Sequence, residues 1–262
     1  MAGSLLFDEP GTMVTHCLAI ETEHDGIIMV DTGCGTHDLQ DPKGRLGTLW
    51  TLSTGLRRTD VRPAIEQLRN LGLDPRDVRH IVLTHLDADH AGGLSDFPDA
   101  TVHVMDDEHR AAHHPPSFMD RLRYRRAQLE PVKHWQRYQI AGEPWWGFPA
   151  AQPLQGVRAD LALLPLAGHT IGHACVAIRM DDRAIVHAGD AYFHRHTLLN
   201  RPFRGRWFER AVAHDYRRVL RNHEVLRTAK RAGGDKLTMF CAHDPIELQE
   251  RVAASREQTG TE

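Results

Sequence analysis

The apolar residues of this 262-residue chain fall in short runs, and their spacing switches repeatedly between strand and helix periodicity. Residues 13–20 and 26–30 are apolar and flank the polar turn ETEHD, which predicts a hairpin ending at Asp31-Thr32-Gly33. From Asp60, a good helix cap, the pattern turns helical, with Pro63 in the first turn and Ile65, Leu68 and Leu71 recurring on one face. Asp74-Pro75 stops that helix. Residues 80–83 then read as a short apolar strand, and Thr101–Met105 as the next. From 106 to about 150 the texture changes: residues 106–114 and 118–138 look helical, and the loop EPWWGFPA is aromatic, which predicts a cap inserted over the main body. Strands resume at 161–166, 175–178 and 184–187. A long charged helix is expected over 206–231, a last strand over 236–241 and a terminal helix from near Ile246. Strands alternating with helices predict an α/β fold, and the absence of a linker or repeat predicts one domain over 1–262.

Composition narrows the function classes. At 41% hydrophobic and 26% charged, with a net charge of −3, the chain offers no global reason to expect nucleic acid or a membrane as partner. No apolar run is long enough to span a bilayer. The opening MAGSLLFDEP lacks the basic and apolar regions of a secretory signal. Cys17, Cys34, Cys175 and Cys241 show no C-x-x-C spacing and read as reduced thiols, so the expected location is cytoplasmic. With 19 histidines, a His beside an Asp will occur by chance, so only placement and spacing count.

Placement is where the chain becomes informative. Asp31 follows IIMV, His85 follows IVLT, His169 follows LLPLAG, Asp190 follows AIVHAG and His243 follows LTMFCA. Each candidate ligand sits where an apolar strand stops, and strand ends along one edge of a sandwich are rigid and convergent. The densest stretch, THLDADHAGG at 84–93, packs His85, Asp87, Asp89 and His90 ahead of two glycines that permit close backbone approach.

The ordered set VDTG (30–33), THLDADHAGG (84–93), AGHTIGHACV (167–176), HAGDAYF (187–193) and CAHDP (241–245) resembles the metallo-β-lactamase superfamily, nearest its lactonase and glyoxalase II-like hydrolases. The resemblance implies a four-layer αββα sandwich with a dinuclear metal site along one edge. It assigns His85, position 87 and His169 to a first metal, Asp89, His90 and His243 to a second, and Asp190 to both. Asp31 matches a carboxylate that orients a ligating histidine. The departure is Asp87, where the family pattern H-x-H-x-D-H carries a histidine. A carboxylate is itself a ligand for zinc, iron and manganese, so Asp87 reads either as a working oxygen ligand or as damage to the first site. With two divalent ions, Asp89, Asp190 and a bridging hydroxide, the ligated core carries +1. Asp87 lowers it to 0, which favours harder metals.

The implied chemistry is hydrolysis of a lactone, ester or thioester of a small molecule by two divalent ions, zinc first, with iron and manganese as alternatives. Asp89 doubles as a proton shuttle, and Tyr192 is a candidate oxyanion donor that could equally pack beneath its loop. An iron-dependent sulfur dioxygenase and a non-catalytic metal-binding module are the competing classes. In the 106–150 segment, RLRYRR at 121–126 reads as a solvated helix face in preference to an anion site. Trp145, Trp146 and Phe148 are open to two roles, the wall of an apolar pocket or a homodimer interface.

Overall fold

The strand Ile27–Val30 is buried on both faces, which explains why its sequence, IIMV, is a continuous apolar run with no alternation. In the computed structural model, which describes residues 13–54, 56, 61–203 and 205–259, it is β2 of a five-stranded sheet. That sheet runs β1 (Leu18–Glu21), β2, β3 (Val78–Val82), β4 (Thr101–Met105), β5 (His134–Tyr138). β1 is antiparallel to β2, the predicted hairpin, and the remaining pairs are parallel. A second sheet is ordered β10 (Leu237–Phe240), β9 (Arg183–His187), β8 (Ala174–Met180), β7 (Leu161–Pro165), β6 (Gln152–Pro153). Its pairs are antiparallel except β10 with β9.

Three apolar layers hold the sheets and helices together. Ile28, Val30, Val82 and Met105 of the first sheet meet Leu161, Leu163, Val176 and Ile178 of the second in the central layer. The other face of the first sheet, with Met29, Ile81, Leu83 and Val104, packs on Leu68, Leu94, Ala111 and Leu129 from flanking helices and turns. On the outer face of the second sheet, Leu164, Ala177 and Val186 meet Leu226 and Ala229 of the helix Tyr216–Gly233. The arrangement is the expected αββα sandwich.

Four details differ from the expectations. The segment 106–138 is not helical throughout: after helices Asp106–His113, Phe118–Arg123 and Arg126–Leu129, the residues HWQRY form edge strand β5 beside β4. Edge position explains the misreading, since one flank of β5 lacks a strand neighbour and its side chains stay largely polar. The helix expected over 206–231 is two helices, Arg206–Val212 and Tyr216–Gly233, because the amides of His214 and Asp215 donate to the carbonyls of His169 and Gly168. Residues 13–17 do not extend β1. They cross to the last loop, where the His16 amide donates to the Ala242 carbonyl. Pro63 caps the helix Ala64–Asn70, and the cap expected at Asp60 lies outside the described residues.

Candidate metal centre

Strand direction decides where the chemistry collects. β2, β3, β7, β9 and β10 all end on the same edge of the sandwich, and each delivers its next residues there: Asp31, His85, His169, Asp190 and His243. The turns are tight. A β-carbon at Gly189, whose φ is +52°, would stand 2.7 Å from Thr84 and 2.8 Å from the His173 ring, so only glycine lets HAGD approach this closely. A β-carbon at Gly92 would fall 2.2 Å from the Asp38 carboxylate, which fixes glycine at the base of the metal loop.

The ligand atoms form two groups joined by one carboxylate. In the first, His85 Nε2 lies 3.5 Å from Asp87 Oδ2, and His169 Nε2 lies 3.0 Å from the same oxygen. Asp190 Oδ2 is 3.8 Å from His85 Nε2 and 3.3 Å from His169 Nε2. In the second, Asp89 Oδ2 is 4.0 Å from His90 Nε2 and 3.8 Å from His243 Nε2. Asp190 Oδ1 is 3.2 Å and 3.0 Å from those same nitrogens. Tetrahedral zinc, with bonds of about 2.1 Å, spaces its ligand atoms about 3.4 Å apart. The ligand set would accommodate two such ions with Asp190 between them, since His243 Nε2 lies 3.1 Å from Asp190 Oδ2 as well as 3.0 Å from Oδ1.

Hydrogen bonding supports the same fit. His85 Nε2, His90 Nε2 and Asp190 Oδ1 are buried with no hydrogen-bond partner among the described residues, although they lie within reach of one another. Buried polar atoms left this way cost free energy unless something else satisfies them, and a metal does.

The opposite ring nitrogens are anchored. Asp31, fully buried with φ of +55°, accepts from His90 Nδ1 at 2.9 Å and from the Thr84 amide and hydroxyl at 2.8 Å each. Because the Thr84 hydroxyl spends its hydrogen on Asp31, it accepts from His85 Nδ1 at 2.9 Å. One carboxylate therefore orients a histidine of each group, directly for His90 and through Thr84 for His85. His243 Nδ1 donates to the Val14 carbonyl at 2.7 Å, the service performed by the N-terminal crossing segment. Burial would raise the Asp31 carboxyl, but the charge and hydrogen bond of His90 outweigh it and hold the group down to about 2. At Asp190 burial is likewise outweighed by His243, His90 and His169, which keep it well below the usual carboxylate range.

The expected ligands His85, Asp87, Asp89, His90, His169, Asp190 and His243 thus converge, with Asp31 behind them. Tyr192 does not join them, which corrects its expected role as oxyanion donor. Its ring is fully buried in the outer core, and its hydroxyl donates to Glu247 at 3.1 Å. The next residue turns inward instead: Phe193 stacks on His243 at 5.0 Å and meets His169 edge-on at 5.6 Å. The tryptophans are also displaced. Trp145 and Trp146 stack on each other at 4.9 Å beside a depression lined by Arg179, Arg183 and Lys236. That depression borders the far ends of β8, β9 and β10, opposite the metal edge, so the tryptophans do not wall this site.

Arg123 and Glu108 are the residues sequence reasoning missed. The run 121–126 is not uniformly solvated, since Arg123 turns in, with Nη1 3.4 Å from Asp87 Oδ2. It also donates to the carbonyls of His169, at 2.8 Å, and of Val212. Glu108, buried, accepts from the amides of Leu86 and Gly172 and so ties the two ligand loops together.

This fold, with histidine–carboxylate groups gathered around one aspartate on the sandwich edge, is a metallo-hydrolase scaffold. The chain belongs to the metallo-beta-lactamase superfamily, whose family model matches residues 10–243. A probable metallo-hydrolase of Mycobacterium tuberculosis is 41% identical over 243 residues, covering 89% of this chain and 75% of that protein. An N-acyl homoserine lactonase of Agrobacterium fabrum is 27% identical over 161 residues, covering 61% of this chain and 57% of its own length. Among solved structures, an N-acyl homoserine lactone hydrolase with its product N-hexanoyl-L-homoserine at the catalytic metal centre superposes with a TM-score of 0.65. It is 22% identical and covers 95% of this chain and 90% of its own, a likeness of fold. The chain is a metallo-hydrolase of this superfamily, and among its described residues no helix is long and apolar enough to cross a membrane.

Proposed function

We propose that the chain opens a lactone, or cleaves an ester or thioester, of a small molecule, using two divalent ions held by His85, Asp87 and His169 and by Asp89, His90 and His243, with Asp190 shared. The observation that carries the reading is the convergence of these histidine and carboxylate atoms, among which His85 Nε2, His90 Nε2 and Asp190 Oδ1 are buried with no hydrogen-bond partner among the described residues. Such ions, when bound, act as Lewis acids on a carbonyl and activate water near neutral pH.

The protein's own residues supply the rest. Asp89 is the most exposed ligand carboxylate, its side chain 21% accessible against 17% for Asp87 and 4% for Asp190. We assign Asp89 to take a proton from the attacking water and return it to the leaving oxygen or sulfur. Phe193 presents a ring, not a hydroxyl, to His243 and His169, so this position offers no hydrogen-bond donor to a substrate carbonyl. Two helices tied to the site through Arg123, Phe118–Arg123 and Arg206–Val212, carry Phe118, Met119, Leu122 and Trp207 exposed to solvent. Exposed apolar side chains of this kind suit contact with an acyl or aryl group on the substrate. The lactonase relatives support the same substrate class.

The test is metal content measured alongside turnover of a panel of lactones, aryl esters and thioesters. Chelation should abolish cleavage, and zinc, manganese or iron should restore it. Full turnover by protein shown to be metal-free would overturn the proposal, as would a loaded protein inert on every member of the panel.

A further inference from the structure

Asp87 is an anion where the superfamily pattern places a neutral imidazole, and a guanidinium stands beside it. We infer that Asp87 and Arg123 act as one net-neutral ligand unit, with Arg123 a positioning residue that restores at the first metal the charge a histidine would give. The inference rests on the metal reading above and deepens it.

Three observations carry it. Asp87 Oδ2, the oxygen facing His85 and His169, is also the one 3.4 Å from Arg123 Nη1. The placement is built from the backbone, since residue 124 pairs with residue 87 across an antiparallel bridge and so delivers residue 123 to the metal loop. The guanidinium is fixed by the carbonyls of His169 and Val212, and its side chain is only 15% accessible, so its charge is poorly screened. A carboxylate of −1 and a guanidinium of +1 sum to the zero of an imidazole. The pair differs from histidine in offering a hard oxygen, which adjusts metal preference without adding net negative charge.

This overturns the simple view of Asp87→His as a return to the commoner pattern. Histidine at 87 would leave Arg123 beside two metals with no anion of its own, raising the local charge by one. Replacing the arginine as well would bring the charge back.

The test is a double-mutant cycle on the intact chain: wild type, Asp87→His, Arg123→Met and Asp87→His/Arg123→Met. Each protein is titrated with zinc and, separately, with manganese against a competing chelator, with folding checked by circular dichroism and thermal melting. Asp87→His should bind its weaker ion roughly tenfold or more less tightly than wild type, and adding Arg123→Met should recover most of that loss. Arg123→Met alone should keep both ions. A purely structural arginine would instead make Arg123→Met harmful in both backgrounds, so the sign of its effect in the histidine background decides. If Arg123→Met weakens binding in both backgrounds, or recovers nothing in the histidine background, the charge-pair inference fails while the metal site stands. If wild type binds no divalent ion at all, the underlying function reading fails.

Discussion

Replacing Asp31 with Asn changes one atom of a residue that touches no substrate, yet it should disable metal binding. The carboxylate is fully buried and accepts from His90 Nδ1 and from both the amide and hydroxyl of Thr84. Asn retains one neutral acceptor oxygen and presents an amide donor on the other side, so it cannot satisfy the Thr84 amide on Oδ1 together with His90 and the Thr84 hydroxyl on Oδ2. The bond lost at His90 is to a charged acceptor, a class worth about 1.5–3 kcal/mol. If that bond serves to aim Nε2 at the metal, the loss corresponds to about 10–150-fold in affinity, in line with the 10–100-fold typical of residues supporting a ligand. The ion on His90, Asp89 and His243 should weaken most, because His85 is reached only through Thr84. Stepwise chelator competition followed by elemental analysis measures this, and Thr84→Val should show the complementary pattern, weakening the ion on His85. Unchanged affinity for both ions in Asp31→Asn would refute the orienting role.

Three further outcomes follow from the geometry. Tyr192→Phe should leave kcat and KM near wild type while lowering stability by about 1 kcal/mol in chemical denaturation, since its hydroxyl bonds Glu247 and not the site. Trp146→Ala should cost about 1.5–3 kcal/mol of stability with substrate preference unchanged, because the ring packs on the outer core beyond the far strand ends. Burial pushes the Glu247 carboxyl from 4.5 up to about 7. A carboxyl raised on folding stabilises the protein below its unfolded value, and that contribution is lost as pH rises through the folded one. Melting temperature should therefore fall between about pH 4.5 and 7 in wild type relative to Glu247→Gln, which should show no such difference if Glu247 is the cause.

How much of this could be read from the chain depends on the physical range of each signal. Strands such as IVLT announce themselves because burial on both faces demands unbroken apolar residues, and the ligands were legible because each follows such a run. β5 was illegible because an edge strand with polar side chains, HWQRY, leaves no such mark. The side chosen by Tyr192 and Phe193 is set by how the chain leaves the Gly189 turn, and adjacent aromatics give no clue which faces the metals. Arg123 was hidden in a basic run in which Arg121 and Arg126 face water. Its inward turn comes from the backbone bridge between residues 124 and 87, a contact between distant segments that local patterning does not encode.

Whether the centre holds two metals turns on Asp87. Elemental analysis of wild type and Asp87→Ala, each purified after loading with zinc and dialysed against metal-free buffer, addresses it most directly. Wild type should hold two ions per chain and Asp87→Ala one, retained by Asp89, His90, His243 and Asp190. Two ions in both proteins would show that Asp87 does not hold the metal, and a single ion in wild type would show that the first group does not form a site.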